Sequence, residues 1–292
     1  MAIWNLGSIN IDHVYHLDAL PRPGETIAAR SYTKGLGGKG ANQSIAAARA
    51  GANTLHLGAM GRQDDWLCDR LVAAGIDLTH VARLDHEATG HAIILLDAMA
   101  ENEIVIHPGA NRAIAEDHLA AALNGMTARD TLLLQNETNG QRAAARIARG
   151  RDARVIYSAA PFDCAAVAKV LPHVTILAMN EGEAAELSRA MASPPSVSGM
   201  LVTLGAKGAE YRDFQRNEVH RQPAFPVVAV DTTGAGDTFV GYFAAALDEG
   251  SPIAAALRLA AAAAALQVTR HGAADAIPTR AEVETFLVNQ PI

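Results

Sequence analysis

Apolar residues in the middle of the chain fall into short runs that alternate with segments of helical spacing. Between residues 115 and 204, each apolar run has the length of a strand, and the segment after it has the apolar spacing of a helix. Continuous apolar strands separated by helices indicate a parallel sheet that is covered on both faces. The strands are predicted at residues 131–134, 155–157, 175–177 and 201–204, and the helices at residues 115–123, 141–149, 163–170 and 181–191.

The two ends of the chain extend this pattern. Gly51 and Gly75 stand where the first two helices are expected to end, because glycine is common just after a helix. Strands are predicted at residues 3–6 and 54–57, helices at residues 37–49, 64–74, 235–248, 252–269 and 279–288, and an antiparallel extension at residues 208–221.

Two segments interrupt the alternation and predict a small additional sheet. Residues 12–32 contain Pro21, Pro23 and Gly24 and resemble a β-hairpin rather than a helix, and residues 91–97 and 103–107 are two further strand-like runs. We therefore predict one doubly wound α/β domain, a mostly parallel sheet flanked by helices, with a small β-sheet lid. The main domain is predicted at residues 1–12, 34–90 and 109–292, and the lid at residues 13–33 and 91–108.

Composition narrows the classes of partner. Half of the residues are apolar, which is enough for a large core, and the net charge of −7 argues against a protein that binds nucleic-acid backbones. A small phosphorylated ligand held by backbone amides is still compatible with this charge. The longest apolar run, residues 259–268, is too short to cross a membrane, and no signal-peptide pattern begins the chain. The two cysteines have no metal-ligand spacing and do not indicate a disulfide framework, which favours a reduced compartment. We therefore expect a cytoplasmic protein, and the short apolar runs predict no membrane partner.

A glycine-rich segment, Gly35-Leu36-Gly37-Gly38-Lys39-Gly40, precedes the first predicted helix. It fits the dinucleotide pattern G-x-G-x-x-G, but the acidic residue expected about 20 residues later is missing. It is not a P-loop, because Lys39 is followed by glycine rather than Ser or Thr. Two interpretations remain open: a helix N-terminus that a ligand can approach, with Lys39 and Asn42 as donors, or a plain glycine turn with a solvated lysine.

A second glycine-containing segment, Asp231-Thr232-Thr233-Gly234-Ala235-Gly236-Asp237, leads into the helix predicted at residues 235–248. Gly234 and Gly236 leave backbone amides bare at the helix start, where the helix dipole also favours an anion such as a transferring phosphoryl group. Asp237 has a role there if it accepts the proton of a hydroxyl that attacks the phosphorus. The alternative is that Asp237 only caps the helix.

Taken together, five motifs resemble the ribokinase family of carbohydrate kinases, also called the phosphofructokinase-B family. They stand in that family's order and span almost the whole chain, and the resemblance implies an ATP-dependent sugar kinase with ATP, Mg²⁺ and a monovalent cation, K⁺, as cofactors. The motifs are Gly7-Ser8-Ile9-Asn10-Ile11-Asp12, Gly37-Gly38-Lys39-Gly40-Ala41-Asn42-Gln43, Asn180-Glu181-Gly182-Glu183, Thr203-Leu204-Gly205-Ala206-Lys207-Gly208 and the segment from Asp231 to Asp237.

The resemblance also implies roles for individual residues. Asp237 would be the catalytic base, with an anion hole at Gly234, Ala235 and Gly236. The sugar would be held by Asn10, Asp12, Gly38, Lys39, Asn42 and Glu137. The nucleotide and its magnesium would be held by Asn180, Glu183, Thr203, Gly205 and Gly208, with the adenine wall in the alanine-rich stretch around Ala261. The monovalent cation, bound mostly by backbone carbonyls and expected to raise activity, would lie at Asp231, Thr233, Arg270 and Gly272.

Plainer interpretations of several of these residues remain open. Asn10 and Asp12 are also typical of turns at strand ends, Glu183 is also typical of a first helical turn, and Asp231 can be a strand-end acid without an ion. We also expect a homodimer formed through the lid, because a small sheet has little core of its own and its exposed edges and faces tend to pair with another chain. The resemblance implies the same.

The substrate is expected to be D-ribose, phosphorylated at its primary hydroxyl. Asp12 suits two neighbouring ring hydroxyls as an acceptor, and Asn10, Lys39 and Asn42 can supply donors. The alternatives are a nucleoside or other sugar kinase of the same family and a sugar-binding regulator without catalysis. Asp237 with both anion-hole glycines argues against the regulator. A nicotinamide dehydrogenase is the least favoured alternative, because the dinucleotide pattern is incomplete.

Overall fold

The computed structural model describes residues 1–99, 101–191 and 193–290, and over these residues the chain forms thirteen strands and nine α-helices. The strands are β1 Ile3–Leu6, β2 Asn10–His16, β3 Ser31–Gly37, β4 Thr54–Gly61, β5 Ile76–Leu84, β6 Gly90–Leu96, β7 Asn102–His107, β8 Thr131–Leu134, β9 Arg154–Ser158, β10 Ile176–Asn180, β11 Gly199–Thr203, β12 Ala209–Asp213 and β13 Glu218–Gln222. The helices are α1 Lys39–Arg49, α2 Asp65–Ala73, α3 Glu116–Ala122, α4 Gln141–Arg149, α5 Cys164–Val170, α6 Glu181–Ala190, α7 Ala235–Asp248, α8 Ile253–Gln267 and α9 Arg280–Val288.

The larger sheet has nine strands in the order β13-β12-β11-β10-β9-β8-β1-β4-β5. All neighbours from β11 to β5 are parallel, and β12 and β13 extend the sheet in antiparallel fashion. The strand order reverses at β1, because the chain first adds β4 and β5 on one side and later adds β8 to β11 on the other. Ligands of open α/β sheets bind outside the carboxyl ends of the strands at such a reversal, so a site is expected where β1 and β8 end.

Helices cover both faces of this sheet, and the alternating side chains of the strands supply two separate cores. Leu133 and Ile156 pack into a core with residues of α1, α7 and α8, whereas Leu132, Leu134 and Val155 pack into a second core with residues of α3 to α6. Strands that are apolar on both faces follow from this arrangement. The predicted doubly wound α/β fold is confirmed.

The smaller sheet has four strands in the order β3-β2-β6-β7, with β2 and β6 parallel at its centre and an antiparallel partner outside each of them. The predicted small lid sheet is therefore present and is built from the two interrupting segments. It begins at Asn10, two residues after Ser8 and directly downstream of β1, so Asn10 and Asp12 belong to its first strand. The division of the chain into domain and lid at the stated residues stays a prediction.

The predicted elements are confirmed with boundaries that differ by a few residues, and one strand was missed. Residues 76–84 form β5 at the edge of the larger sheet, parallel to β4. Apolar and polar residues alternate through much of this segment, and that alternation was a usable signal for a half-exposed edge strand. None of the described helices has the length and apolar character needed to cross a membrane.

Candidate active site

Asp237 lies in the first turn of α7 and is almost fully buried, with 7% of its surface exposed. Two side chains of α1 donate hydrogen bonds to its carboxylate: Gln43 Nε2 to Oδ1 at 3.0 Å and Asn42 Nδ2 to Oδ2 at 3.3 Å. The N-cap residue of α7 is Gly234, not Asp237, and Asp237 makes no capping hydrogen bond there. The interpretation of Asp237 as only a helix cap is therefore wrong.

Gly234 gives the start of α7 its shape. Its φ of 77° lies in the left-handed region, which favours glycine, and an added Cβ would come within 3.2 Å of the Ala273 Cβ. The amides of the first helical turn have no acceptor inside a helix, so Gly236 and Asp237 present donors at this point. The Ala235 amide, which was also predicted to belong to the anion hole, instead donates to the Thr232 carbonyl at 3.2 Å. The arrangement suits a phosphoryl group next to the Asp237 carboxylate.

Lys39, the first residue of α1, lies among three carboxylates. Its pKa is raised, chiefly by Asp237, while burial opposes the shift and Glu137 and Glu183 add to it. The ammonium group is therefore held in its charged form close to the proposed base. A solvated lysine on a plain glycine turn would not have these neighbours, so the functional interpretation of the glycine-rich segment is favoured.

Glu137 lies at the reversal of strand order, just after β8. Its Oε2 accepts hydrogen bonds from the Ser8 hydroxyl, at the end of β1, and from the Lys39 backbone amide at 2.9 Å. The Ser8 hydroxyl oxygen in turn accepts the Gly40 amide at 3.1 Å. The carboxyl ends of β1 and β8 and the start of α1 are thus connected through one carboxylate, as the position of the reversal led us to expect.

Asp12 is the other carboxylate on this side, in β2. Burial raises its pKa to about 6, and the charge of Glu137 adds to the increase. Gly37 on β3 leaves the space for this carboxylate, because a Cβ there would lie within 2.1 Å of Asp12 Oδ2. A half-buried carboxylate with this pKa suits hydrogen bonds from neutral donors such as sugar hydroxyls.

Asn10 and Asn42 complete the sugar-side residues predicted from the sequence. Asn10 Oδ1 accepts a hydrogen bond from Asn111 Nδ2 at 2.7 Å, and Asn111 Oδ1 accepts the Ile9 amide at 3.0 Å. Asn42 Oδ1 is buried and has no hydrogen-bond partner among the described residues. A ligand hydroxyl that donates to this oxygen would remove the cost of leaving it unpaired.

Three further amide side chains support the site and were missed at the sequence level. Gln135 Nε2 donates to Gln43 Oε1 at 2.7 Å and to Asn5 Oδ1 at 2.9 Å, so Gln43 is oriented toward Asp237 by Gln135. Asn111 fixes Asn10 in the same way. Gln43 stands inside a recognised motif and Gln135 stands two residues before Glu137, so both had a local signal. Asn111 had none.

On the other side of the α7 start lies a cavity of about 540 Å³. Thr203, Gly205 and Gly208 line it together with Ala235 and Gly236, so the predicted nucleotide loop and the anion hole meet in one space. Ala261 also lines it, in the stretch where the adenine wall was expected. The apolar part of the lining includes Phe225, Val227, Phe239, Ala261, Ala264, Ala265 and Val268.

Asn180 and Glu183 form a capping box at the start of α6. Asn180 Oδ1 accepts the Glu183 amide at 2.9 Å, and Glu183 Oε2 accepts the Asn180 amide at 2.8 Å. Glu183 therefore does have the helix-start role that the plainer interpretation gave it. It also lies close enough to Lys39 and Asp237 to interact with their charges, and burial raises its pKa. A carboxylate here fits a magnesium ion that is bound mostly through phosphate oxygens.

Of the four residues predicted to bind a monovalent cation, three have oxygen atoms that already accept hydrogen bonds: Asp231, Thr233 and Gly272. Asp231 accepts the amides of Thr233 and Gly272, each at 2.9 Å, and the carbonyls of Thr233 and Gly272 accept hydrogen bonds from Gln267. The Arg270 guanidinium pairs with Glu282 at 2.7 Å. This set of donors and acceptors does not fit the expected potassium ion, because the Gln267 amide donates to carbonyls that were predicted to bind it.

Residues 3–280 match the pfkB family of carbohydrate kinases. The chain belongs to this family. It is 37% identical to a ribokinase of Bacillus subtilis over 294 residues, which covers 97% of this chain and 98% of that protein. It is 31% identical to a deoxyribokinase of Salmonella typhi over 306 residues, covering 98% and 99% of the two chains. The structure of an Arabidopsis thaliana ribokinase complexed with ribose and ATP superposes with a TM-score of 0.87 at 30% identity and covers 99% of both chains.

Membership of this family confirms the enzyme class predicted from the sequence, an ATP-dependent carbohydrate kinase. In this kinase, a group of polar side chains lies at the ends of β1 and β8, and an apolar cavity lies beside it. The start of α7 lies between the two. The roles of the individual residues stay predictions.

Proposed function

We propose that this kinase transfers the γ-phosphate of ATP to the primary hydroxyl of D-ribose. The observation that carries the proposal is the position of Asp237. Its buried carboxylate lies at the start of α7, between the polar side chains around Lys39 and the cavity that begins at Gly236. A hydroxyl bound on the polar side and a phosphoryl group bound at the helix start would meet beside this carboxylate.

On the sugar side, ring hydroxyls donate to Asp12 and to the unpaired Asn42 Oδ1, while Lys39 supplies a donor. Ribose is the proposed substrate because these groups are carboxylate, amide and ammonium groups, which recognise hydroxyls rather than an aromatic base. The relative named ribokinase from Bacillus subtilis, at 37% identity, supports the same choice. A site of this kind discriminates against analogues that lack a contacted hydroxyl, since its buried groups are then left unpaired.

In the transfer step, Asp237 accepts the proton of the primary hydroxyl as the new O–P bond forms and the bond to the β-phosphate oxygen of ADP breaks. Backbone amides at Gly236 and Asp237 stabilise the charge on the transferring phosphoryl oxygens. The Lys39 ammonium group places a positive charge near the same phosphoryl oxygens. Magnesium, held near Asn180 and Glu183, would neutralise phosphate charge.

The test is the appearance of product. Purified protein with ATP, Mg²⁺ and D-ribose should release ADP only when ribose is present, and the ³¹P spectrum of the product should show a phosphate ester on the primary hydroxyl. The Asp237→Asn variant under the same conditions is the control. ADP release that is independent of ribose, or an ester at a ring hydroxyl, would reject the proposal.

Two finer parts of the function are proposals as well. The first is that the kinase acts in the cytoplasm. The second is that it forms a homodimer through the lid, because four large apolar side chains of the small sheet are exposed: Ile93 on β6 and Ile104, Val105 and Ile106 on β7. Light scattering at micromolar concentration should give twice the mass of one chain.

Potassium is the third cofactor that the resemblance implied. The resemblance implies an increase in activity with potassium, whereas the hydrogen bonds from Gln267 argue against a potassium site. Because the carbonyl groups concerned already accept hydrogen bonds from Gln267, no step of the proposed reaction uses potassium.

A further inference from the structure

Gln267 is the last residue of α8, and its side chain is completely buried. Its amide nitrogen lies within hydrogen-bond distance of three backbone carbonyls, those of Thr233 at 3.0 Å, Ala273 at 3.0 Å and Gly272 at 3.3 Å, so its two hydrogens are shared among three acceptors. Its amide oxygen accepts the hydroxyl of Thr238, also completely buried, at 3.0 Å. One carboxamide therefore connects the segment before α7, the segment after α8 and α7 itself.

The connection reaches the reacting part of the site. Thr233 directly precedes Gly234, whose left-handed conformation starts the anion hole, and Gln267 Nε2 lies 3.4 Å from the point where a Gly234 Cβ would stand. Thr238 directly follows Asp237. Gln267 thus holds the backbone on both sides of the anion hole and the base, although it is not itself one of the residues that line the cavity.

Three backbone carbonyls that converge on one centre are the kind of oxygen set that binds a hard cation. Here the centre is the NH₂ group of Gln267, which carries partial positive charge and two donor hydrogens. Asp231, the acidic residue nearby, has both oxygens engaged by the amides of Thr233 and Gly272. A cation at this centre would have to displace the NH₂ group of Gln267, which already lies within hydrogen-bond distance of all three carbonyls.

We infer that the Gln267 carboxamide does in this chain the structural task expected of a monovalent cation, so that the anion hole is ordered without one. The expected effect on turnover number rests on the proposed function, whereas the expected effect on Tm rests on the fold alone. Gln267 acts as a positioning residue, because it acts through the backbone of residues 233 to 238.

The experiment compares cations in the wild-type protein and in Gln267 variants. Turnover number, KM for ribose and Tm are measured in KCl and in tetramethylammonium chloride at equal concentration. The wild type should differ less than about twofold in turnover number and less than about 1 °C in Tm between the two salts, because no potassium site exists to be filled.

Gln267→Ala removes the donor and leaves three carbonyls unpaired, and Gln267→Glu places a carboxylate among them. Both variants should lose about tenfold or more of the turnover number in tetramethylammonium, with little change in the KM for ribose. Potassium should restore part of that loss and raise Tm by about 3 °C or more, most clearly for Gln267→Glu, because carboxylate and carbonyl oxygens together would bind the ion. Gln215→Ala, in the exposed turn between β12 and β13, is the matched glutamine control and should respond to salts as the wild type does.

Two results would overturn the inference. One is a wild type that is nearly inactive in tetramethylammonium and both activated and thermally stabilised by potassium. The other is a Gln267→Ala variant that matches the wild type in turnover number and Tm in both salts. If the variants do not fold, the wild-type comparison of the two salts decides alone. If no sugar is phosphorylated but potassium stabilises only the Gln267 variants, the inference stands and the proposed function fails.

Discussion

The two sides of the α7 start differ in the groups they offer a ligand. At the ends of β1 and β8, Lys39 lies within interaction range of Asp237, Glu137 and Glu183, and Asp12 has a pKa raised by burial. Across the start of α7, the cavity of about 540 Å³ is lined mainly by alanine, valine, phenylalanine and glycine.

This difference separates two ways of binding. Buried charged and amide groups recognise a ligand by the hydrogen bonds it completes, and they penalise a ligand that leaves one of them unpaired. An apolar cavity recognises a ligand by shape and by a few backbone groups, so it tolerates small changes better. We expect substitutions on the sugar side to be more damaging and more specific than substitutions on the nucleotide side.

The largest effect is expected where the two sides meet. Asp237→Asn should lower the turnover number by at least about 10²-fold, because the amide cannot accept the hydroxyl proton. Steady-state kinetics measure the loss, and calorimetry with ribose and with ATP measures binding. Binding should change little, since the amide keeps the size of the side chain. Turnover within a few-fold of the wild type would remove Asp237 as the base.

A substitution confined to the sugar side comes next. Asp12→Ala should raise the KM for ribose by about tenfold to a hundredfold while the KM for ATP stays within about twofold, because only hydroxyl acceptors are lost. Initial rates with each substrate varied in turn measure both constants. An equal rise in the two constants would show that the polar and apolar sides are not independent.

The raised pKa of Asp12 gives this prediction a pH signature. As pH falls through about 6 the carboxyl becomes protonated and loses an acceptor, so the KM for ribose should rise, and the Asp12→Asn variant should lack this change. Because the pKa of Asp12 is higher in the folded state, this group contributes fully to stability at pH values below its ordinary pKa. That contribution is lost as pH rises through about 6. Asp12→Asn should therefore raise Tm at pH 8 relative to the wild type.

The nucleotide side should give the smallest effect of the three. Val227→Trp narrows the cavity and should raise the KM for ATP by about fivefold to tenfold without changing the KM for ribose, because a bulky side chain competes for the space of the ligand. The neighbouring Val228 is 84% exposed and is not part of the cavity lining, so Val228→Trp is the matched control and should leave both constants unchanged. A larger effect of the control than of Val227→Trp would contradict the placement of the nucleotide.

The parts of the site and fold that could be predicted from the sequence are those formed by consecutive residues. The anion hole at residues 234–237 and the start of α1 at Lys39 are each a few consecutive residues with a local signal. The parallel sheet followed from continuous apolar strands. Gln267 and Phe225 could not be predicted, because their positions near the site depend on how α8 and the segment after β13 pack against α7. Asn111 reaches Asn10 over about a hundred residues of chain and likewise had no local pattern.

The substrate is the central claim, and a comparison of kcat/KM at saturating ATP tests it most directly. D-ribose, 2-deoxyribose, D-fructose, adenosine and cytidine would be measured with the same preparation. The account predicts that D-ribose has the highest value, that 2-deoxyribose is lower because a buried polar group loses its partner, and that both nucleosides lie at least about tenfold below ribose. A nucleoside that exceeds D-ribose by tenfold or more would contradict the account.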